Sequence, residues 1–177
     1  MRADASRVAL LVEREAASLL AYFERRIDIR EDAADLLGDT LLVLWRRVAA
    51  VPSADEDARR WLFGVARKVL SGYRRGRLRR GALAERLRGE LSVASSESDP
   101  VAESVRVAVR ALPERDRELV GLIHWEGFGL HEVAQILGIS AGTARMRYMR
   151  ARARLAQDLV AFGRSVDPLH SSHRAVE

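Results

Sequence analysis

The sequence predicts an all-α protein: two small helical domains joined by a flexible linker, the second containing a helix-turn-helix. Three observations predict it. Apolar residues recur at steps of three and four almost throughout, the period of an amphipathic helix. No stretch alternates apolar and polar for long enough to make a strand. Residues 89–100 are rich in serine and acid and poor in large core residues, as a tether is.

The elements follow in order. In the first domain, placed at residues 1–88, Val8, Val12, Ala16, Leu19, Phe23 and Ile27 form one stripe. Asp28, with Glu31 three residues later, has the spacing that caps a second helix, whose inward side is Leu37, Leu41, Leu44 and Val48. The pattern stops around Pro52. Ser53-Ala54-Asp55-Glu56 has the form of a capping box for a third helix, with Leu62, Val65, Ala66, Val69 and Tyr73 inward. Leu83, Leu87 and Leu91 carry the helical spacing towards the linker. The second domain, placed at 101–160, opens at Asp99-Pro100, with proline at the first helical position. Val101, Val105, Val109 and Leu112 make its first stripe. After Leu112-Pro113 the chain restarts, and Glu114, Asp116 and Glu118 sit where a helix N-terminus favours negative charge. From about Gly163 the periodicity ends, so 161–177 is expected to be a disordered tail.

Composition narrows the function. The chain has 177 residues, 48% of them apolar, enough for packed cores. It has no cysteine, which excludes a disulfide framework, a thiolate zinc site and a cysteine nucleophile. That fits a reducing cytoplasm. No apolar run approaches a membrane span, and Met1-Arg2-Ala3-Asp4-Ala5-Ser6 leads straight into charged amphipathic sequence, so neither membrane insertion nor a signal peptide is expected. The net charge is +5, unevenly placed: residues 1–57 carry 8 basic and 12 acidic groups, residues 58–80 carry 9 basic and none acidic. All cations but Lys68 are arginine, which codon usage in a GC-rich genome accounts for by itself.

The most specific local pattern is Gly129-Leu-His-Glu-Val-Ala-Gln-Ile-Leu-Gly-Ile-Ser-Ala-Gly-Thr-Ala-Arg145. A first helix over 130–137 turns Val133, Ala134 and Leu137 inward, and small Ala134 lets a second helix cross closely. Gly138 permits a turn of positive φ, Ile139 plugs the corner, and Ser140 caps the next helix, anchored by Ala144, Tyr148 and Leu155. This is a helix-turn-helix whose second helix suits a major groove. That helix carries Arg145, Arg147, Arg150, Arg152 and Arg154 with no acid between 140 and 157. Arginine holds a guanine edge with two hydrogen bonds, and methionine (Met146, Met149) fits a thymine methyl. A basic run alone favours a solvated face; the glycine, the serine cap and the small alanine at these spacings reverse that preference.

Residues 59–80 interleave Trp61, Phe63 and Tyr73 with the nine cations. Cations meet phosphate, and aromatic faces stack unpaired bases. Taken singly, each aromatic is better read as core. Ahead of this block, Asp32, Asp35 and Asp39 share one side of a helix: a solvated face, or a dock for a basic protein.

Together these residues resemble a bacterial RNA polymerase sigma factor of the extracytoplasmic-function (ECF) class, in the sigma-70 family. The resemblance covers roughly 10–160. Glu31-Asp-Ala-Ala-Asp-Leu-Leu-Gly-Asp-Thr-Leu-Leu-Val-Leu-Trp45 resembles the family's core-polymerase-binding helix. Arg60-Trp-Leu-Phe-Gly-Val-Ala-Arg-Lys-Val-Leu70 resembles the helix that works at the −10 element, and Ala111-Leu-Pro-Glu-Arg-Asp-Arg-Glu118 opens the second domain as in the family. The resemblance implies an alternative sigma factor with core RNA polymerase, promoter DNA and an anti-sigma factor as partners, and no cofactor. It implies that Asp35, Leu36, Asp39 and Thr40 lie against the polymerase clamp. It implies that Val48 to Asp57 includes a base-capturing loop. Arg60, Trp61, Phe63, Arg67, Lys68, Arg74 and Arg75 would serve −10 melting. Ser140, Thr143, Arg145, Met146, Arg147, Met149 and Arg150 would serve the −35 element, with Thr143 and Arg147 the better candidates for phosphate or packing. Lys68, Ala144 and Met146 depart from the family's common residues, which affects promoter sequence rather than fold.

The rival reading is a polymerase-independent helix-turn-helix regulator; the acidic helix and the aromatic basic helix argue against it. A small nuclease lacks a metal-carboxylate cluster, and the pattern holds no catalytic or metal set: His170 and His173 in the tail are a pair without further ligands. A diverged member acting mainly as a partner-binding protein is a further alternative.

Overall fold

Side chains spaced by three and four residues bury together only on a helix, and every described segment of this chain takes that solution. The computed structural model describes the backbone of residues 2–84 and 100–166 and the side chains of 5–78 and 104–160. In order come α1 (Arg2–Glu24), α2 (Arg30–Arg46), a 3-10 turn at Val48–Ala50, α3 (Asp55–Ala84), α4 (Pro100–Ala111), α5 (Glu114–His124), α6 (Leu130–Leu137) and α7 (Ala141–Val166). No strand occurs among the described residues, so the all-α class holds. The chain divides into two compact units, Met1–Ser92 and Val93–Glu177.

In the first unit α1, α2 and α3 pack on one another. Val8, Leu11, Leu19 and Phe23 of α1, Leu36 and Leu44 of α2, and Leu62, Phe63, Ala66 and Leu70 of α3 are buried. Tyr22 meets Phe23 and Phe63 edge-on, at centroid separations of 5.2 and 5.7 Å, the geometry ring quadrupoles favour. The α2 stripe is rotated from the expected one. Ala33, Leu36, Thr40 and Leu44 point inward, while Leu37 and Leu41 are only half-buried. Adjacent leucines make both registers apolar, and Thr40 is admitted because its hydroxyl donates to the Leu36 carbonyl at 2.8 Å. On α3, Phe63 and Leu70 take the inward places expected of Val65, Val69 and Tyr73, which stay half-buried.

Two expected caps do not form. The residue before α2 is Ile29, with no side-chain cap, so Asp28 does not act there. Helix α3 begins at Asp55, so Ser53 lies too far back; the Ala54 carbonyl accepts the Ala58 N–H at 2.9 Å. Asp55, Glu56 and Asp57 in the first turn instead complement the helix dipole.

In the second unit α7 packs against α4, α5 and α6. Leu112, Val120 and Ala151 form a buried cluster with Leu155 against it; Leu119, Leu122, Phe128, Val133 and Ile136 are also buried. Ala108 and Val109 of α4, and Leu112 just beyond its end, turn inward; Val105 stays exposed. Helix α7 runs to Val166, six residues beyond the expected end of the domain. Apolar periodicity ends earlier, but a formed helix extends at little cost per residue. The segment 89–99 of the expected linker, the continuation through Leu87 and Leu91, and the tail 167–177 with His170 and His173 lie outside the described residues.

Candidate nucleic-acid interface

The second unit builds its site on the turn between α6 and α7. Glu132 Oε2 accepts the Gly129 N–H at 2.8 Å, closing the start of α6. Gly138 ends it at φ 66°, ψ 39°, a left-handed conformation that side chains rarely adopt. The Ile139 N–H reaches the Ala134 carbonyl at 3.0 Å. Ser140 Oγ then accepts the Thr143 N–H at 3.1 Å and lies 2.9 Å from the Thr143 hydroxyl. That cap is worth about 1 kcal/mol. Both side chains are thereby engaged with the start of α7.

From this start α7 has two sides. Ala144 and Ala151 are fully buried, and their small size brings the helix close to its neighbours. On the opposite side Met146 is 53% and Met149 59% exposed, flanked by exposed Arg145 and Arg150. The Arg150 Nε–H donates to the Met146 carbonyl at 3.3 Å, which lays the guanidinium along the helix. Tyr148 is half-buried; its hydroxyl lies 3.0 Å from His124 Nε2, and the Arg152 guanidinium stands 5.8 Å from its ring centroid. Arg147, Arg150 and Arg154 line an open groove of about 780 Å³ opposite Pro113, Arg115, Glu114 and Asp116.

The first unit treats its cations differently. Arg59 donates to Glu15 at 3.0 Å and stands over the Phe63 ring at 5.2 Å. Arg60 is bound to Asp57, Arg74 donates to the Arg26 carbonyl at 3.2 Å, and Arg75 to Ser71 Oγ at 2.7 Å. Tyr73 donates to Asp32 and receives Arg77 at 3.3 Å. Burial, then the bond to Asp32, pushes the Tyr73 phenol above its usual pKa. Lys68 is exposed and Arg67 half-exposed, and neither makes a hydrogen bond or ion pair among the described residues. Trp61 is half-buried and shares an outward side with Lys68 and Arg75, seven and fourteen residues on. Phe63 is fully buried. That corrects its expected role: its ring belongs to the core and offers no face to a base.

The α2 site needs a similar correction. Asp35 and Asp39 are exposed, whereas Leu36 is 4% and Thr40 0% exposed. The last two pack into the core of the first unit and expose almost no surface. Exposed Leu42 and Trp45, at helical spacing from Asp35 and Asp39, continue that side instead. The sequence signal for them was the same leucine repeat, read one residue out of register. Asp32, expected with the other acids, is engaged with Tyr73. The loop after α2 is fastened by α1: Arg7 donates to the Val51 carbonyl at 3.1 Å and Arg14 to Asp55 at 2.6 Å. The Arg14 guanidinium holds the Asp55 carboxyl below the usual carboxylate range.

Residues 102–155 match the sequence profile of sigma-70 region 4. The ECF RNA polymerase sigma factor SigF of Caulobacter vibrioides is 34% identical over 142 residues, 78% of each chain. The chain belongs to the family of ECF RNA polymerase sigma factors. SigL of Mycobacterium tuberculosis, another ECF sigma factor, is 26% identical over 149 residues, 82% of this chain and 84% of that one. Among solved structures, the sigma factor RpoE bound to the anti-sigma factor NepR, from Bartonella quintana, has a TM-score of 0.69 at 24% identity over 90% of this chain and 98% of that one. CnrH in complex with the cytosolic domain of CnrY has a TM-score of 0.62 at 24% identity over 87% and 88%. These two likenesses establish the fold. As an ECF sigma factor the chain directs promoter-specific initiation by RNA polymerase; the polymerase-independent regulator is not favoured. No helix among the described residues is long and apolar enough to cross a membrane.

Proposed function

We propose that the unit Val93–Glu177 reads the −35 element through Arg145, Met146, Met149 and Arg150, while the unit Met1–Ser92 binds the polymerase clamp and opens the −10 strand. The observation that carries this reading is the division of α7: Ala144 and Ala151 face the core, and the methionines and arginines between them face solvent. Arg145 pairs with a guanine edge, and Met146 and Met149 contact thymine methyl groups. Arg147, with Arg115 and Arg154 along the groove, meets phosphates, which position the helix without reading sequence. Ser140 and Thr143 act by setting the start of α7.

In the first unit Trp61, Lys68 and Arg75, with Arg67 beside them, form the surface offered to single-stranded DNA. Phe63 supports it from the core; Arg60 and Arg74 shape it through their bonds to Asp57 and Arg26. Bases leaving the stack exchange stacking for protein contact at about 1–3 kcal/mol each. The loop that Arg7 and Arg14 fasten, Val48 to Asp57, receives an extruded base. Asp35 and Asp39, continued by Leu42 and Trp45, dock on the basic clamp of core polymerase. Joining two modest readers on one tether raises the effective concentration of the second once the first is engaged.

The protein works by binding alone and is not an enzyme; it acts in the cytoplasm, where the polymerase is. An anti-sigma factor, as NepR is for RpoE, is the expected restraint. Runoff transcription with core polymerase on a library of genomic fragments tests the reading. Start sites preceded by shared −35 and −10 sequences at one spacing are expected. Duplex binding without core association points to the regulator, and core association without initiation to a partner-binding protein.

A further inference from the structure

The chain contains three methionines and no cysteine, and two of the three, Met146 and Met149, stand on α7. They are 53% and 59% exposed, three residues apart on the side that carries Arg145 and Arg150. Internal methionines commonly fill irregular core gaps; these two fill none. Apart from Met1, all the oxidisable sulfur of the protein is therefore concentrated on one solvent-facing strip of one helix.

We propose that Met146 and Met149 form an oxidation site at which a hydroperoxide switches off the second unit's DNA-reading surface. The proposal rests on the reading of that surface as the −35 contact. A thioether sulfur donates a lone pair to the terminal oxygen of the oxidant. For a hydroperoxide the O–O bond breaks as the S–O bond forms, and the departing oxygen takes a proton and leaves as water or an alcohol. Sulfur loses two electrons and the peroxide gains them. The product is a sulfoxide: polar, chiral, and carrying an acceptor oxygen where an apolar group stood. On this strip that oxygen faces the thymine methyls and the negatively charged duplex, so contact is lost on both grounds. The arginines that supply non-specific attraction are untouched, and so is the buried side built on Ala144 and Ala151, so the helix stays folded. The lesion is repaired by methionine sulfoxide reductases, one enzyme for each epimer. Bound DNA covers the strip, so the free protein is the sensitive form.

The test uses the full chain, treated with hydrogen peroxide, freed of it, and then combined with untreated core polymerase. Mass spectrometry counts oxygens at each methionine, circular dichroism follows the fold, and transcription is read on a promoter recovered by runoff from genomic fragments. Oxidised protein is expected to bind core normally, keep its melting temperature, and lose about tenfold or more of its transcription. Both reductases together should restore it. The double variant Met146→Leu, Met149→Leu keeps apolar bulk and removes the oxidisable sulfur; measured against its own untreated level, whatever that level is, it should lose nothing on treatment. Equal loss in that variant, or full transcription by wild-type protein carrying both sulfoxides, overturns the proposal. The double variant Met146→Ala, Met149→Ala separates the two levels. If untreated Ala variants keep full promoter discrimination, the −35 reading of these residues fails as well. If they lose it while oxidised wild type does not, the oxidation site alone is wrong.

Discussion

Helices α3 and α7 carry similar densities of arginine, yet they present their charge in opposite ways. On α3 several guanidiniums bend onto the protein, Arg59 to Glu15, Arg60 to Asp57 and Arg74 to the Arg26 carbonyl, while Arg67 does not. On α7 Arg145 and Arg150 face solvent beside two exposed methionines. The difference lies in the neighbours. Helix α1 brings a nearly buried carboxylate, Glu15, against the start of α3, whereas the buried contact of α7 is made by Ala151 and Leu155 and its arginines meet Glu114 and Asp116 only across an open groove. Charge in a sequence therefore overstates the charge a partner meets, by an amount that packing decides.

Four experiments probe this contrast, in falling order of effect. Phe63→Ala should destabilise the first unit by about 3–5 kcal/mol, because it empties a fully buried ring site between α1 and α3. Thermal denaturation measures it; an unchanged melt with lost strand opening would return Phe63 to the DNA surface. Arg145→Ala should weaken binding to the correct −35 duplex by about 1–3 kcal/mol and relax discrimination at one base pair. Competition between matched and substituted duplexes reads this, and equal loss on all of them would make Arg145 a phosphate contact.

Those two predictions turn on a distinction the sequence carried only in part. Helix α6 matched its expected bounds of 130–137, and Gly138 and Ser140 took their expected roles, because a left-handed turn and a side-chain cap are local chemistry. The start of α4 at Pro100 was legible for the same reason. Which leucines of α2 face inward was not, because paired leucines satisfy two registers equally and only packing against α1 and α3 selects one. Phe63 was open likewise: taken singly it reads as core, while the family resemblance gives it to the −10 strand, and an aromatic among arginines has one appearance in sequence whether it packs on Tyr22 or on a base. The partners Glu15 and Arg59 are 44 residues apart, beyond any local pattern.

The third experiment compares Arg67→Ala with Arg59→Ala. The first should lower the salt dependence of promoter binding by about one phosphate contact and leave the melting temperature alone. The second should lower the melting temperature, since it strands Glu15. Salt titrations and melts that came out alike for both would erase the distinction between exposed and engaged cations on α3. The smallest effect concerns Tyr73. Its pKa is raised in the folded state, so its contribution to stability is intact below pH ~10 and fades as the pH climbs through the folded value. The first unit should therefore lose stability in that alkaline range, and Tyr73→Phe should remove that slope in pH-dependent denaturation.

Ala144 and Ala151 keep one side of α7 locked while the residues between them stay at liberty to change. On the proposed reading, substitutions outward change the DNA contact and leave the buried side intact, while substitutions at Ala144 or Ala151 disturb the packing. If that contact holds, the strip between the two alanines is the part of α7 that can change its promoter preference at little cost to the fold.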